Sequence, residues 1–311
     1  KSLLKKISNR KENQDGIVIE TPVEFNFKPN LSYLERDKNE CMYEIEDEVI
    51  TRMIPTGDEQ ALVQISSPDN HHLYVHFLDG TRPATLENRA AVVSYIHDWF
   101  DLNTNLVPFY DMAQNDPMLK TLINDNYGLR VIGIPDLFEA LCWGILGQQI
   151  NLGYAYTLKR QFVEKFGDAY IYNGKPYWTF PSYQKIAKIT PEDMSDIKMT
   201  VRKSEYIIGI AQLMAQGELS KEKLLELRDF RKIEKALVKI RGIGPWTANY
   251  ILMRCLRFRE AFPIADVGLI NSIKFLKGMD RKPTKEEIME AAIPWENWEA
   301  YATFYLWRAK Y

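Results

Sequence analysis

The sequence is poor in cysteine and has no long apolar run. Its three cysteines, Cys41, Cys142 and Cys255, lie far apart among 311 residues and form no CxxC pair. This spacing gives no support to a disulfide framework, a zinc knuckle or a four-cysteine iron–sulfur cluster, and it favours a reducing compartment. No apolar run is long enough to span a bilayer, and residues 1–10 lack the pattern of a secretory signal. We therefore expect a cytoplasmic protein without a membrane partner.

The chain also lacks an excess of charge of either sign. It has 40 basic and 42 acidic side chains, a formal net charge of −2, which argues against a uniformly basic nucleic-acid coat. The charges are unevenly placed, because residues 31–60 hold nine acidic and three basic side chains whereas residues 231–260 hold eight basic and two acidic ones. The usual interpretation of such a basic run is a solvated helical face, and the alternative is a patch that binds a polyanion.

β-branched and aromatic residues dominate short stretches in the first third of the chain. With turn signals between them, these stretches predict an antiparallel sheet. The predicted strands are residues 17–19, 23–27, 48–54, 62–65 and 72–77. Residues 85–100 follow with apolar side chains near the 3.6-residue period, which predicts a helix. We therefore predict a first domain, residues 1–112, that combines a sheet with at least one helix.

Strand patterns almost vanish after residue 113, and helical periods take over. Glycine, proline, serine and threonine separate nine candidate helices between residues 138 and 310. One long stretch, residues 168–181, contains a glycine and two prolines and is predicted to be irregular. Residues 113–311 are thus predicted to be all-α, which makes the whole chain an α+β protein.

A turn between two helical stretches carries the most informative local pattern. A short helix is predicted to end near Ile240, residues 242–244 reverse the chain, and Pro245 suits the first position of the next helix. The amides of the turn and of that helix N-terminus point together and favour an anion, for which a phosphate is the natural ligand. A dinucleotide-binding motif needs a preceding strand and a third glycine where Thr247 stands, so it is excluded. A plain turn between two helices remains the alternative.

The residues around this turn form a longer and more specific pattern. Residues 242–250 read Gly-Ile-Gly-Pro-Trp-Thr-Ala-Asn-Tyr, and Asp266 stands 20 residues after Trp246. This pattern resembles the helix–hairpin–helix DNA glycosylase superfamily, in its DNA-3-methyladenine glycosylase II branch, over roughly residues 138–311. Shorter blocks that agree are residues 145–149, 201–205, 265–269 and 298–307. The resemblance implies a sheet domain followed by two helical subdomains, and double-stranded DNA with damaged bases as the partner.

The resemblance gives Asp266 the central role. In the family this carboxylate stabilises positive charge on the sugar, or activates water, while the N-glycosidic bond breaks, and an oxocarbenium-like transition state needs such a group. An N-cap for a helix that begins at Val267 is the alternative use of the same side chain. Relatives that also cut the DNA strand carry a lysine where Trp246 stands here. The resemblance therefore implies a monofunctional enzyme without lyase activity.

Three aromatic residues, Trp246, Tyr250 and Trp307, match the family's base pocket. A purine alkylated on a ring nitrogen carries positive charge and binds an aromatic face by cation–π attraction. Core packing is the alternative role for these rings. A base in a duplex must be flipped out to reach such a pocket, and the resemblance places Gln149 in the gap, where the best-known relatives have leucine. Ile150 is the alternative residue for this plug.

The resemblance also implies how the duplex is held. The expected DNA contacts at the turn are Arg241, Gly242, Ile243, Gly244 and Thr247. The family's hairpin commonly binds a monovalent cation, sodium or potassium, through backbone carbonyls. The matching carbonyls belong to Val238, Ile240 and Ile243. No organic cofactor is implied.

The hypothesis from sequence is therefore a monomeric base-excision-repair enzyme, nucleoid-associated if the source is bacterial. It flips out alkylated purines, 3-methyladenine or 7-methylguanine, and hydrolyses their N-glycosidic bond. One alternative is a glycosylase for another damaged base, such as an oxidised or deaminated one. The other is a non-catalytic protein that keeps the hairpin as a phosphate clamp and binds damaged DNA.

Overall fold

A five-stranded antiparallel sheet forms the first part of the described chain. The computed structural model describes residues 16–311, so residues 1–10, in which a secretory signal was sought, lie outside it. The strands are β1 (Gly16–Glu20), β2 (Glu44–Glu46), β3 (Val49–Thr56), β4 (Glu59–Ser66) and β5 (His72–Phe77). Their order in the sheet is β1-β5-β4-β3-β2.

The strand register places the main core on one face of this sheet. Ile50 pairs with Ile65, and Ile54 pairs with Ala61, across β3 and β4, and all four side chains are fully buried. They share one hydrophobic cluster with the inner residues of helix α2 (Leu86–Trp99), which follows the sheet in sequence as predicted. Because side chains alternate along a strand, the neighbouring positions face the other way.

The prediction of a strand at residues 23–27 is wrong. Helix α1 (Phe27–Leu34) begins there, and the side chain of Asn26 caps its first turn. The apolar residues that imitated a strand are buried as aromatic packing instead, since the ring of Phe25 meets that of Phe100 at a centroid distance of 6.4 Å. Asparagine before an apolar run was the cap signal that the strand interpretation overlooked.

Residues 168–181, expected to be irregular, contain a β-hairpin. Strands β6 (Asp168–Tyr172) and β7 (Lys175–Thr179) pair antiparallel around Asn173 and Gly174, whose φ angles are 49° and 76°. Two positive φ angles in a two-residue loop suit an Asn-Gly pair, and the tight turn is a hairpin signal readable in the sequence. The hairpin covers the second face of the sheet. The residues that meet there are Tyr170, Tyr172, Tyr177, Met53, Leu62 and Leu78.

Helices build the remainder of the described chain, and the nine predicted after residue 138 are all present. The helices after α2 are α3 (Val107–Ala113), α4 (Leu119–Asp125), α5 (Leu137–Leu146), α6 (Leu152–Phe166), α7 (Tyr183–Ile186), α8 (Val201–Ala215), α9 (Lys221–Glu226), α10 (Phe230–Val238), α11 (Pro245–Arg254), α12 (Val267–Leu276), α13 (Lys285–Ala291) and α14 (Glu299–Leu306). Two 3₁₀ turns, Pro191–Met194 and Ile293–Trp295, join them. The α+β fold class is confirmed.

One continuous core joins the sheet region to the helices. The ring of Tyr33 on α1 lies 4.6 Å from that of Phe304 on α14, and the ring of Phe109 lies 5.2 Å from that of Tyr305. The domain boundary after residue 112 stays a prediction. Across residues 16–311, no helix has both the length and the apolar character of a membrane span.

Candidate active site and DNA interface

The turn between α10 and α11 is closed by its own backbone. The N–H of Ile243 donates to the carbonyl of Ile240 at 3.0 Å, and Pro245 occupies the first position of α11 as predicted. Gly242 has a φ of +98°, and a Cβ there would lie 2.5 Å from Cγ of Tyr206. Gly242 is therefore required by the turn itself and by the packing of Tyr206. Gly244 is different, because a Cβ on it would have no atom within 4 Å.

The loop after α5 holds this turn through a side chain that the sequence analysis missed. Nε2 of Gln148 donates to the carbonyl of Gly242 and to Oγ1 of Thr247, both at 3.0 Å. Thr247, an expected DNA contact, is only 2% exposed, and its hydroxyl accepts the Gln148 amide. The block at residues 145–149 was the available signal, but only its second glutamine was given a role.

The side chain of Lys203, on α8, also holds the loop after α5. Its buried Nζ donates to the carbonyls of Leu146 at 3.0 Å and Gln148 at 2.7 Å, which are orphan acceptors at the end of α5. Burial lowers the pKa of Lys203. Gln149, which follows Gln148 in the loop, is exposed and has a φ of +59°, whereas Ile150 is half-buried against the core. The loop thus presents Gln149 rather than Ile150 to solvent.

Asp266 lies where three N–H donors converge. Its Oδ2 accepts the N–H of Leu269 at 2.8 Å, which makes it the N-cap of α12, the alternative role given to it from sequence. Nε1 of Trp307 donates to the same oxygen at 2.8 Å, and Nε1 of Trp246 donates to Oδ1 at 3.1 Å. We call Asp266, Trp246 and Trp307 the carboxylate corner. A carboxylate oxygen has two lone pairs, so Oδ1 keeps one for a further partner.

The three predicted pocket aromatics lie together beside this carboxylate. The rings of Trp246 and Tyr250 stack at a centroid distance of 5.4 Å and an angle of 28°, and Tyr250 and Trp307 are 6.2 Å apart at 32°. Trp246 and Trp307 are half-buried, whereas Tyr250 is 5% exposed. The arrangement is an aromatic wall with a fixed carboxylate at its edge.

Tyr250 is held from behind by two donors. Its hydroxyl oxygen accepts Nε1 of Trp143 at 2.8 Å and a guanidinium N–H of Arg254. We call Tyr250, Trp143 and Arg254 the pocket floor. Burial raises the pKa of Tyr250, and the charge of Arg254 partly offsets that effect. Nε of Arg254 also donates to the carbonyl of Ile132 at 2.6 Å, which ties the floor to the segment before α5.

The basic run at residues 231–260 is only partly the solvated face that its charge predicts. Arg254 is 4% exposed, and Arg257 forms an ion pair with Asp101 at 3.1 Å, so both side chains interact within the protein rather than with solvent. The remaining cations are exposed: Arg231, Lys232, Lys235, Lys239, Arg241 and Arg259. Arg241, an expected DNA contact, pairs with Glu205 at 3.0 Å. The exposed positive charge therefore concentrates on α10 and the hairpin turn.

Metal-binding side chains do not cluster in the described region. Within residues 16–311, no group of three or more histidine, cysteine, aspartate or glutamate side chains is arranged to hold a metal ion. The three cysteines are free thiols, and burial raises the pKa of Cys255 to about 12.

Two family models match the chain in succession. The model described as "8-oxoguanine DNA glycosylase, N-terminal domain" matches residues 18–141, and the model described as "HhH-GPD superfamily base excision DNA repair protein" matches residues 142–298. Together they run from the sheet to the last helices. The second match contains the hairpin, the carboxylate at position 266 and the loop at residues 147–150.

Individual proteins show the same similarity. The chain is 62% identical to the DNA-3-methyladenine glycosylase of Bacillus subtilis, over 96% of this chain and 99% of that protein. It is 27% identical to DNA-3-methyladenine glycosylase 2 of Escherichia coli, over 85% and 86% of the two chains. The solved 3-methyladenine DNA-glycosylase of Archaeoglobus fulgidus has the same fold, with a TM-score of 0.78, 24% identity and coverage of 94% and 97%.

Proposed function

The chain belongs to the HhH-GPD superfamily of base excision DNA repair proteins and is a DNA glycosylase, and we propose that it is a monofunctional one, specific for alkylated purines such as 3-methyladenine and 7-methylguanine in double-stranded DNA. The observation that carries this proposal is the carboxylate corner. Asp266 is fixed by both indoles at the edge of an aromatic wall, and an indole rather than an amine occupies position 246.

Binding begins at the hairpin turn. The N–H groups in the first turn of α11 lack intrahelical partners and, with the helix dipole, favour a DNA phosphate. Gly244 leaves the space that a closely approaching backbone needs. The exposed cations of α10 add sequence-independent attraction to the duplex. These contacts position the duplex, while Gln149 fills the gap left by the flipped nucleotide.

The aromatic wall selects a cationic base. A purine alkylated at N3 or N7 carries positive charge, and each well-placed aromatic face contributes about 0.5–2 kcal/mol to its binding. The wall offers two half-exposed indoles, Trp246 and Trp307, and the buried ring of Tyr250. A neutral base gains only the stacking part of this energy, so charge is the basis of discrimination.

The corner then supports bond cleavage. As the N-glycosidic bond breaks, its electron pair moves to the base nitrogen and leaves the alkylated purine neutral, while positive charge develops on the sugar. The Oδ1 atom of Asp266, which has one indole donor, faces this charge with its remaining lone pair. Water adds to the anomeric carbon, loses a proton and completes an abasic site. Because position 246 offers no amine, no Schiff base forms and the strand stays intact.

The hairpin also fits a monovalent cation, and we include one in the proposal. The carbonyl of Ile240 accepts one hydrogen bond within the turn, and a carbonyl oxygen has a second lone pair. The carbonyls of Val238 and Ile243 belong to the same turn, so sodium or potassium held there would place positive charge beside a phosphate. Equal DNA affinity in potassium and in tetramethylammonium, at the same ionic strength, would contradict this part.

Base release from methylated duplex DNA tests the proposal directly. Freed bases are identified by chromatography, and a gel shows strand breaks before and after alkali. We expect free 3-methyladenine and 7-methylguanine, with breaks only after alkali. Breaks without alkali would contradict the monofunctional assignment. Tight binding with no free base would favour the non-catalytic alternative, and release of only oxidised or deaminated bases from matched substrates would favour another lesion.

A further inference from the structure

A cavity lies between the N-terminal sheet region and helices α5 and α6. Its volume is about 40 Å³, and it is partly open to solvent. Trp143 and Arg254, which hold Tyr250 from behind, are among its lining residues. The cavity therefore adjoins the pocket floor, and Asp266 is not among its lining residues. We call it the interface cavity.

The charges that line this cavity do not balance. Nζ of Lys159 donates to both carboxylate oxygens of Glu40, at 3.2 and 3.3 Å, which accounts for one cation and one anion. Glu139 is the other lining carboxylate, and it lies 3.8 Å from the same Nζ. The remaining lining cations are the guanidiniums of Arg36, Arg52 and Arg254. Three positive charges thus face the single negative charge of Glu139, so an excess of positive charge remains.

The three guanidiniums make their hydrogen bonds with neutral oxygens. Nε of Arg36 donates to the hydroxyl of Tyr156 at 2.6 Å, and Nε of Arg52 donates to the carbonyl of Met53 at 3.2 Å. Among residues 16–311, no carboxylate lies within 4 Å of Arg36, Arg52 or Arg254. Aromatic rings flank them, with Arg36 4.2 Å from the centroid of Tyr33. A buried cation is costly without a counter-charge.

A buried hydroxyl adds to the unused donors. Tyr33 is 3% exposed and lines the cavity, and its hydroxyl has no hydrogen-bond partner among residues 16–311. Each guanidinium also keeps terminal N–H groups in a planar fork, which matches two oxygens of one anion. The cavity thus combines excess positive charge, spare donors and a volume of about 40 Å³, which suits only a compact ion. All three features suit the same class of ligand.

We propose that the interface cavity binds a small oxyanion, either inorganic phosphate or a small carboxylate. The oxyanion neutralises the excess charge of the three guanidiniums and accepts from their terminal N–H groups. Its site is separate from the carboxylate corner. Arg36 donates a hydrogen bond to Tyr156, and the ring of Tyr156 lies 4.7 Å from that of Trp143. The bound oxyanion and the pocket floor would therefore contact some of the same residues.

Titration of the full chain with sodium phosphate, sodium acetate or sodium chloride at constant ionic strength tests the proposal. Trp99 and Trp143 line the cavity, so tryptophan fluorescence reports binding, and the thermal unfolding midpoint is a second readout. We expect a saturable fluorescence change and a raised midpoint with phosphate, acetate or both. Phosphate alone assigns a phosphate site, and acetate alone assigns a carboxylate site. No difference from chloride with either anion overturns the proposal.

Two substitutions with opposite expected effects locate the site. Arg52→Gln removes a cation and should weaken binding of the effective anion by about tenfold or more. Glu139→Gln removes the repelling carboxylate and should strengthen binding severalfold. Arg160→Gln, at an exposed arginine paired with Glu164, is the matched control and should leave the affinity unchanged. If Arg52→Gln fails to fold, Glu139→Gln decides, because unchanged or weaker binding in that variant contradicts the proposal.

Discussion

The carboxylate corner and the pocket floor adjoin each other but are held in place differently. Asp266 takes its three donors from residues of the C-terminal third, and the two indoles that hold it are half-exposed. Tyr250 takes its donors from Trp143 and Arg254, which are buried. Through Trp143 and Tyr156 the floor reaches Arg36, in the N-terminal region.

The difference separates chemistry from support. In the corner, Oδ1 of Asp266 keeps a lone pair and the two indoles have access to solvent, which reacting groups need. In the floor, the hydroxyl of Tyr250 accepts from both Trp143 and Arg254, so substitution there should affect stability and the placement of the wall before it affects bond cleavage. The predictions below test this division, in order of decreasing expected effect.

The largest effect should follow Asp266→Asn. The variant keeps an oxygen for the N–H of Leu269, but its amide NH₂ cannot accept the indole N–H of Trp246, and it carries no negative charge. Loss of one electrostatic stabiliser of this kind typically costs about 10²–10³ in rate. Single-turnover base release from methylated duplex DNA measures it.

The same variant should show little change in binding or stability. Asparagine is as good an N-cap as aspartate, so α12 keeps its start. The thermal midpoint and the affinity for DNA that contains an abasic site serve as controls. Base release at the unsubstituted rate would remove Asp266 from the chemistry and reduce its role to that of a helix cap.

Glu40→Gln tests the buried side of the comparison. Loss of this carboxylate leaves Lys159 with only Glu139 nearby, and a broken buried pair typically costs about 3 kcal/mol or more in the free energy of unfolding. Urea unfolding at pH 7 measures this loss. Base release per folded molecule should stay within about threefold, because the substitution leaves the carboxylate corner untouched. A threefold change in rate corresponds to less than about 1 kcal/mol in the height of the barrier.

The same pair gives the stability a pH dependence. Burial by itself raises the pKa of Glu40, but the charge of Lys159 and the N–H of Met42 lower it below the ordinary value of 4.5 overall. A lowered folded-state pKa contributes stability that is present above the unfolded-state pKa and is lost as the pH falls through the folded-state value. Stability should therefore fall below pH 4.5 more steeply in the parent chain than in Glu40→Gln. Parallel curves would contradict the pairing.

The two glycines of the turn between α10 and α11 also differ in whether they affect stability or DNA binding. Gly242→Ala should lower stability by about 1–3 kcal/mol, because its backbone has a positive φ and the added Cβ meets the ring of Tyr206. Gly244→Ala adds its Cβ in open space, so it should weaken binding to all duplexes alike and change stability less. Chemical unfolding and fluorescence anisotropy separate the two. A stable Gly242→Ala with weakened binding would move the close approach of DNA to position 242.

The three corner residues were singled out from the sequence, whereas Trp143 and Arg254 of the floor were not, for a physical reason. Asp266, Trp246 and the glycines lie in one local pattern, whose spacing is set by a turn and two helix starts. The contact of Trp143, on α5, with Tyr250 depends on how helices pack, whereas Arg254 stands four residues after Tyr250 on α11, a helical spacing that the sequence analysis did not use. The burial of Arg254 also depends on how helices pack, because its charge predicted a solvated face whereas the folded chain leaves it 4% exposed. Sequence spacing does not encode such tertiary contacts.

The N-terminal region shows the same limit. The sheet and α2 follow from side-chain periodicity and were predicted. The hairpin β6–β7 was not, although Asn173 and Gly174 marked its turn, because two prolines nearby favoured an irregular chain. The interface cavity also had no sequence signal, since Arg36, Arg52 and Lys159 meet only in the folded chain.

The smallest effect should follow Trp143→Phe, which tests whether the floor influences catalysis at all. The variant removes the indole N–H that donates to Tyr250 but keeps a ring against Tyr156, and Arg254 still donates to the same hydroxyl. Loss of one neutral hydrogen bond costs about 1 kcal/mol, which is about fivefold in rate if the whole cost falls on the transition state.

Trp178→Phe, on the β6–β7 hairpin, is the matched control, since it removes an indole that belongs neither to the wall nor to the floor. If Trp143→Phe slows base release severalfold with the control unchanged, the hydroxyl of Tyr250 sets the position of the wall. If it lowers only the unfolding midpoint, the floor acts as support alone. In that case the two regions divide cleanly into chemistry and stability.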